Sequence, residues 1–170
     1  MNKKIALYVG FVILAVLSRI VDHPANFTAV MALALFLGAR LENKTLGLVL
    51  TLIPMVIVDS YLGFHSTVFF VYGALVGILL LSHLGLSGKK LFPLGVSSIG
   101  FGILFYLITN FGVWQVDGMY PKTYEGLLEC YRMGIPFLKN QIIGDLFYTL
   151  VFVGAFDYLS HKISKPQKVR

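Results

Sequence analysis

Asp145 is the costliest residue in this chain to place, because it lies deep within an apolar run at 135–158. A carboxylate at such depth in a membrane costs on the order of 2.5–3.5 kcal/mol by insertion scales, so it is expected to face other helices and to have a partner. Gln141, Gly144, Asp145 and Tyr148 share one helical face there. Arg19, at the end of the first apolar run, has the charge and the reach to be that partner, whereas Asn110 offers only a neutral hydrogen bond. Such a pair can act as an interhelical clamp worth about 1 kcal/mol or can contact a bound solute, and the sequence leaves both open.

His23 beside Asp22, His65 near Asp59, and the single cysteine Cys130 are the groups that could ligate a metal or a metal-containing cofactor, since imidazole and thiolate are the usual ligands. Their spacing matches no metal motif, so no metal and no cofactor is assigned. The same acid and histidine pairs could serve an intramembrane enzyme on a lipid-linked substrate. Ser60 and Ser66 adjoin them, yet the chain has neither a Gly-x-Ser-x-Gly elbow nor a His-Glu-x-x-His motif, and no enzymatic activity is expected. A Gly-x-x-x-x-Gly-Lys-Ser loop for ATP is also missing, so any ATP-driven step needs separate subunits.

These groups must be positioned by the apolar runs, which fall at 5–21, 27–41, 45–62, 67–86, 91–114 and 135–158. Most approach the roughly 20 residues a helix needs to cross the hydrocarbon. With 57% hydrophobic and 13% charged residues and a mean hydropathy of +0.80, the chain departs from the globular balance of about 25% charged. An all-α integral membrane bundle of about six transmembrane helices is expected, as a single domain over 1–170. The second run is short and holds Arg40, so it reads either as a tilted span or as a re-entrant piece.

Basic residues set the orientation. With the N-terminus inside, ten Lys and Arg are cytoplasmic against four outside, namely Arg19, Lys122, Arg132 and Lys139. That ratio places both termini inside an inner (plasma) membrane. It also accounts for the net charge of +6 as topogenic flanks facing membrane lipids, with no nucleic acid as partner. The opening Met-Asn-Lys-Lys resembles a signal peptide, but nothing like Ala-x-Ala follows it, so the first run is expected to stay as an anchor.

On that topology the outer ends of the spans collect the polar residues expected to bind a substrate. Arg19, His23 and Asn26 come from the first outer segment and Asp59 and His65 from the second. Asn110, Trp114, Tyr120, Tyr124, Tyr131 and Asn140 come from the third, and Asp145 forms the floor. Within the third segment Pro121 can open a short helix with Tyr124, Leu127, Leu128 and Tyr131 on one stripe, and Gly134 and Pro136 are expected to stop it before the last span. This amphipathic helix would be a lid over the bundle or an interfacial anchor. Small residues four apart, Ala6 and Gly10, Ala34 and Gly38, Gly73 and Gly77, and Ser98 and Gly102, allow close helix packing.

The runs His-Pro-Ala-Asn-Phe-Thr-Ala-Val-Met-Ala-Leu-Ala-Leu-Phe-Leu-Gly-Ala from His23, Val-Asp-Ser-Tyr-Leu-Gly-Phe-His-Ser-Thr, Leu-Ile-Thr-Asn-Phe-Gly-Val-Trp and Pro-Phe-Leu-Lys-Asn-Gln-Ile-Ile-Gly-Asp carry a resemblance to a known family. Over about residues 5–158 the chain resembles small uncharacterised bacterial membrane proteins described as transport proteins. More distantly, its layout is similar to the substrate-binding S components of energy-coupling factor (ECF) vitamin transporters. That likeness implies about six helices, a loop-capped pocket open to the outside, and a small-residue patch on the first helix that docks a coupling membrane subunit served by ATPases. Ala6 with Gly10 is the nearest match to that patch, departing from the usual two alanines. Nickel and cobalt S components carry His after the initiator Met, and Asn2 stands here instead. The expected function is therefore uptake of a small-molecule substrate, such as a vitamin or cofactor precursor, from the outer face. An intramembrane enzyme and a cell-envelope scaffold are the alternatives.

Overall fold

The computed structural model describes residues 3–164, with side chains from 5 to 160. The basic tail Lys165, Lys168 and Arg170 lies outside it, as do the side chains of Lys3, Lys4 and Lys162. Six helices follow in order: α1 (Lys3–Ile20), α2 (Val30–Arg40), α3 (Lys44–Leu62), α4 (Val68–Gly85), α5 (Leu91–Val116) and α6 (Tyr124–Ser164). There is no strand among the described residues. α3, α4, α5 and the part of α6 at Tyr124–Ser160 are long and apolar enough to cross a membrane, and large apolar side chains such as Phe69, Leu84 and Phe92 stand exposed along them. This is an all-α helical bundle of membrane type.

The second apolar run folds differently from a span. Only Val30–Arg40 is helical, 11 residues or about 16 Å, roughly half of the ~30 Å hydrocarbon thickness. Every residue from Val30 to Ala39 is buried, as expected of a helix that is apolar all round. α2 touches each of the other five helices and so forms the axis of the bundle. Its Arg40 end is tied down by bonds from the guanidinium to the Lys89 carbonyl at 2.8 Å and to Asp157 of α6 at 3.3 Å. A cation there also complements the negative end of the helix dipole.

At the other end the chain enters α2 without a helix. Asn26 takes a φ of 65°, in the left-handed region that Asn tolerates better than most residues, and Phe27–Ala29 run inward as irregular backbone. Such backbone is tolerated at membrane depth only where protein or a cavity satisfies it. Here the Ser18 hydroxyl accepts the Ala29 N–H at 3.0 Å while donating to the Ala15 carbonyl. Phe27 is wedged against Gly144, where an added Cβ would stand 3.2 Å from it, and beside Phe147 and Tyr148.

The expected break before the last span does not occur. α6 is one helix of 41 residues that continues through Gly134 and Pro136, about 60 Å long. Gly134 is a packing residue: a Cβ on it would meet Asn110 Oδ1 at 2.5 Å and the Tyr106 ring at 2.8 Å. Pro136 is exposed, where the carbonyl it leaves unpaired is not walled in by other helices. The anticipated stripe shifts as well, for Tyr124 is 71% exposed while Gly126, Cys130 and Gly134 face inward.

Of the four small-residue pairs, two are used in packing. A Cβ on Gly38 would collide with the Leu79 carbonyl and lie 2.6 Å from Ser82 Cβ on α4. Gly102 holds α5 close to Gln141, Ile142 and Asp145 of α6. Gly73, Gly77 and Gly10 have no neighbour that a Cβ would touch within 4 Å. Gly38→Val is therefore expected to lower stability by about 1–3 kcal/mol through overpacking, whereas Gly73→Ala should be neutral or slightly stabilising through its helix preference. Thermal unfolding of the detergent-solubilised variants checks this, and equal melting temperatures for the two would contradict the assigned α2–α4 contact.

Candidate functional site

Because α2 stops half way, the space beyond its start is left to the five remaining helices. A cavity of about 680 Å³ fills it, lined by residues from all six helices and from the segments 21–29, 63–67 and 117–123. His23, Asn26 and Met119 stand exposed at its rim. Met31, Met55, Leu75, Gln141 and Asp145 are buried and form its deep part.

Asp145 is 1% exposed and lines the cavity. Its partner is not Arg19, which corrects the expectation. Arg19 Nη2 bonds Asp59 Oδ1 at 2.7 Å, and Nη1 reaches the Met55 carbonyl at 3.3 Å. The reason is register: Arg19 ends α1 beside the last turn of α3, and α1 packs along α3. Asp59 is 2% exposed and also accepts the Tyr72 hydroxyl at 2.8 Å, with His65 Nε2 at 4.0 Å from the same oxygen. Both of its oxygens are thus occupied. Asn110 does not meet Asp145 either, since its amide donates to the Tyr106 carbonyl of its own helix. What lies near Asp145 is Gln141, one turn earlier, whose amide donates to the Gly102 carbonyl at 3.3 Å. Asp145 Oδ2 has no hydrogen-bond partner.

Seven of the expected site residues line the cavity: Arg19, His23, Asn26 and His65 near its loops, Asn110 and Tyr120 on its wall, and Asp145 on its floor. Asp59 lies behind Arg19 rather than in the cavity. Trp114 braces the 117–123 segment instead, donating to the Pro121 carbonyl at 2.8 Å with Lys122 over its ring at 5.2 Å. Tyr131 locks α6 to α5 through the Leu107 carbonyl at 3.0 Å. Tyr124 and Asn140 do not line the cavity, because the unbroken α6 turns Tyr124 outward. Burial raises the Tyr120 phenol above its ordinary value, with Cys130 and Glu129 adding to the shift, which keeps it a neutral hydrogen-bond donor.

Sequence reasoning missed Thr28, Thr67 and Thr109, which are uncharged and ordinary in type, and the apolar lining of Phe105 and Phe137; Asp117 falls within the polar third outer segment but outside the expected site set. Gln141 shared a helical face with Asp145 and could have been included on that ground. Asp117 is held by the Ser66 hydroxyl, joining two of the three cavity segments. His23, His65 and Cys130 all line the cavity, but no group of three His, Cys, Asp or Glu placed to hold a metal occurs among the described residues. Ala6 and Gly10, the anticipated docking patch, are exposed on α1 beside Ile5, Val9 and Ile13.

Removing one partner of a buried ion pair leaves the other charge uncompensated, at about 3–5 kcal/mol, while replacing both with apolar groups costs far less. Asp59→Leu is therefore expected to destabilise strongly, and Arg19→Met combined with Asp59→Leu to recover most of the loss. Exchanging the charges of Arg19 and Asp145 should recover nothing. Chemical or thermal unfolding of the three variants reads these couplings, and an Arg19→Met, Asp59→Leu double variant no better than Asp59→Leu would sink the pairing.

No curated protein and no solved structure matches this chain. Residues 1–167 match the family of unknown function DUF6580, and on that extent the chain belongs to this family.

Proposed function

We propose that this protein is a membrane substrate-binding subunit that takes up a small molecule from the outer face, resembles an ECF S component in layout, and has no enzymatic activity of its own. The observation that carries the reading is the cavity of about 680 Å³ with Asp145 at its floor. Small-molecule sites are concave, mostly apolar, about 300–1,000 Å³ in volume, and oriented by a few polar groups. A scaffold has no use for such a void. Of the two acid and histidine pairs the enzyme alternative could use, Asp59 with His65 is less available, because Asp59 is already engaged by Arg19 and Tyr72.

The sequence segments at the cavity end carry four Lys and Arg against ten elsewhere, which favours an outward-facing mouth under the positive-inside rule. With no ATP-binding loop in the chain, energy for uptake comes from a coupling membrane subunit and ATPases. The exposed pair Ala6 and Gly10 is the candidate docking patch on α1.

Native mass spectrometry of the protein in mild detergent tests this reading. The expected result is one small molecule bound at unit stoichiometry and released chemically unchanged. Val113→Trp, which fills the cavity from α5, should lose it while keeping its helical content. Absence of any bound molecule, or undiminished retention by the tryptophan variant, argues for the scaffold; release of an altered molecule argues for the enzyme.

A further inference from the structure

The chain has four methionines besides Met1, and all four line the cavity described above together with its single cysteine, Cys130: Met31 and Met55 are buried, while Met119 and Met133 are 68% and 57% exposed. Only 24 of the 170 residues line it, so this gathering is not what even spacing along the chain would produce. The four come from α2, α3, the 117–123 segment and α6, and no helical periodicity links them. Thioether sulfur is polarisable, conforms to irregular ligands, and contacts aromatic rings favourably by about 0.3–1.5 kcal/mol each. Phe105, Phe137 and Tyr120 add rings to the same wall.

The charged groups of the cavity are unequal. Arg19 is neutralised by Asp59 at 2.7 Å, and Asp117 accepts from Ser66. His65 is tied to Thr67 at 2.8 Å, and His23 sits at the exposed rim against the Val21 carbonyl. Asp145 alone among the cavity's carboxylates is fully buried with an oxygen that no protein group bonds. A buried polar oxygen without a partner is costly, and a charged N–H donor supplies the strongest kind of partner. The volume is far larger than an ion requires, so the donor belongs to an organic molecule.

Resting on the small-molecule reading above, we propose that the ligand is an organic cation, with an aromatic, polarisable body held among the methionine sulfurs and a protonated amine or amidine donating to Asp145. The carboxylate then recognises charge, and the sulfurs recognise shape loosely.

Thermal-shift titration of the full chain in detergent, with three indoles that differ only at the end group, tests this: tryptamine, tryptophol and indole-3-propionate, repeated with the matching naphthalene amine, alcohol and acid. In both sets the amine is expected to bind at least ten-fold more tightly than the alcohol, and the acid most weakly. Asp145→Asn should erase the preference for the amine and leave alcohol binding as it was. Met55→Leu with Met133→Leu, which conserves volume, should weaken all the aromatic probes several-fold. An alcohol or acid that equals the amine overturns the proposal, as does failure of every probe to bind at millimolar concentration. Stabilisation by silver ion alone overturns it in favour of a soft-metal site. If Asp145→Asn does not fold, the ranking on the wild-type protein decides. None of these outcomes touches the binding reading itself, which is decided separately by the co-purification experiment and the Val113→Trp variant.

Discussion

A helix that ends in the middle of a bundle has to have its exposed backbone satisfied by something other than water, and this constraint organises the protein. α2 is enclosed on every side, so its sequence can be apolar all round, and its Arg40 end is secured by Lys89 and Asp157. Its opposite end has no such freedom. Ser18 must meet the Ala29 N–H, Phe27 must fill the notch left by Gly144, and Asn26 must accept a left-handed conformation for the chain to turn inward at all. Five helices that would otherwise close around a sixth are held apart there, and the cavity is the consequence.

Charge in that cavity is rationed by geometry. Because α1 packs on α3, Arg19 meets Asp59, with Tyr72 completing the carboxylate. The pair fixes the rim of the cavity without adding net charge to it. Asp145, one helix away, is left with a glutamine and a free oxygen. In the proposed uptake role, a site that is electrically quiet except for one deep acceptor would orient a ligand by a single strong contact and hold the rest of it by soft packing. Affinity and selectivity would then come from different residues, Asp145 and the methionines.

Several expectations failed for reasons visible in single residues. Gly134 and Pro136 read as a helix stop because both break isolated helices, but Gly134 is the contact that lets α6 lie on Tyr106 and Asn110. Tertiary packing thus outweighed local preference, and the continuous helix turned Tyr124 away from the site. The amphipathic type of Trp114 and Tyr131 suggests ligand contacts, whereas both spend their polar atoms on carbonyls within the protein. The methionines went unnoticed because an apolar residue in an apolar helix carries no signal about which face it occupies until the neighbours are known.

The amino-acid sequence by itself determined the class of the protein, the approximate position of the first five helices and the burial of Asp145, since these follow from hydropathy and from the cost of charge in hydrocarbon. Tertiary structure alone decided that the second run is a half-length axis, that Arg19 serves Asp59, and that methionines from four separate elements line one void. The division has a physical basis. Burial free energy is summed along the chain and can be read from composition, whereas pairing depends on helix register and rotation, which only the packed bundle fixes.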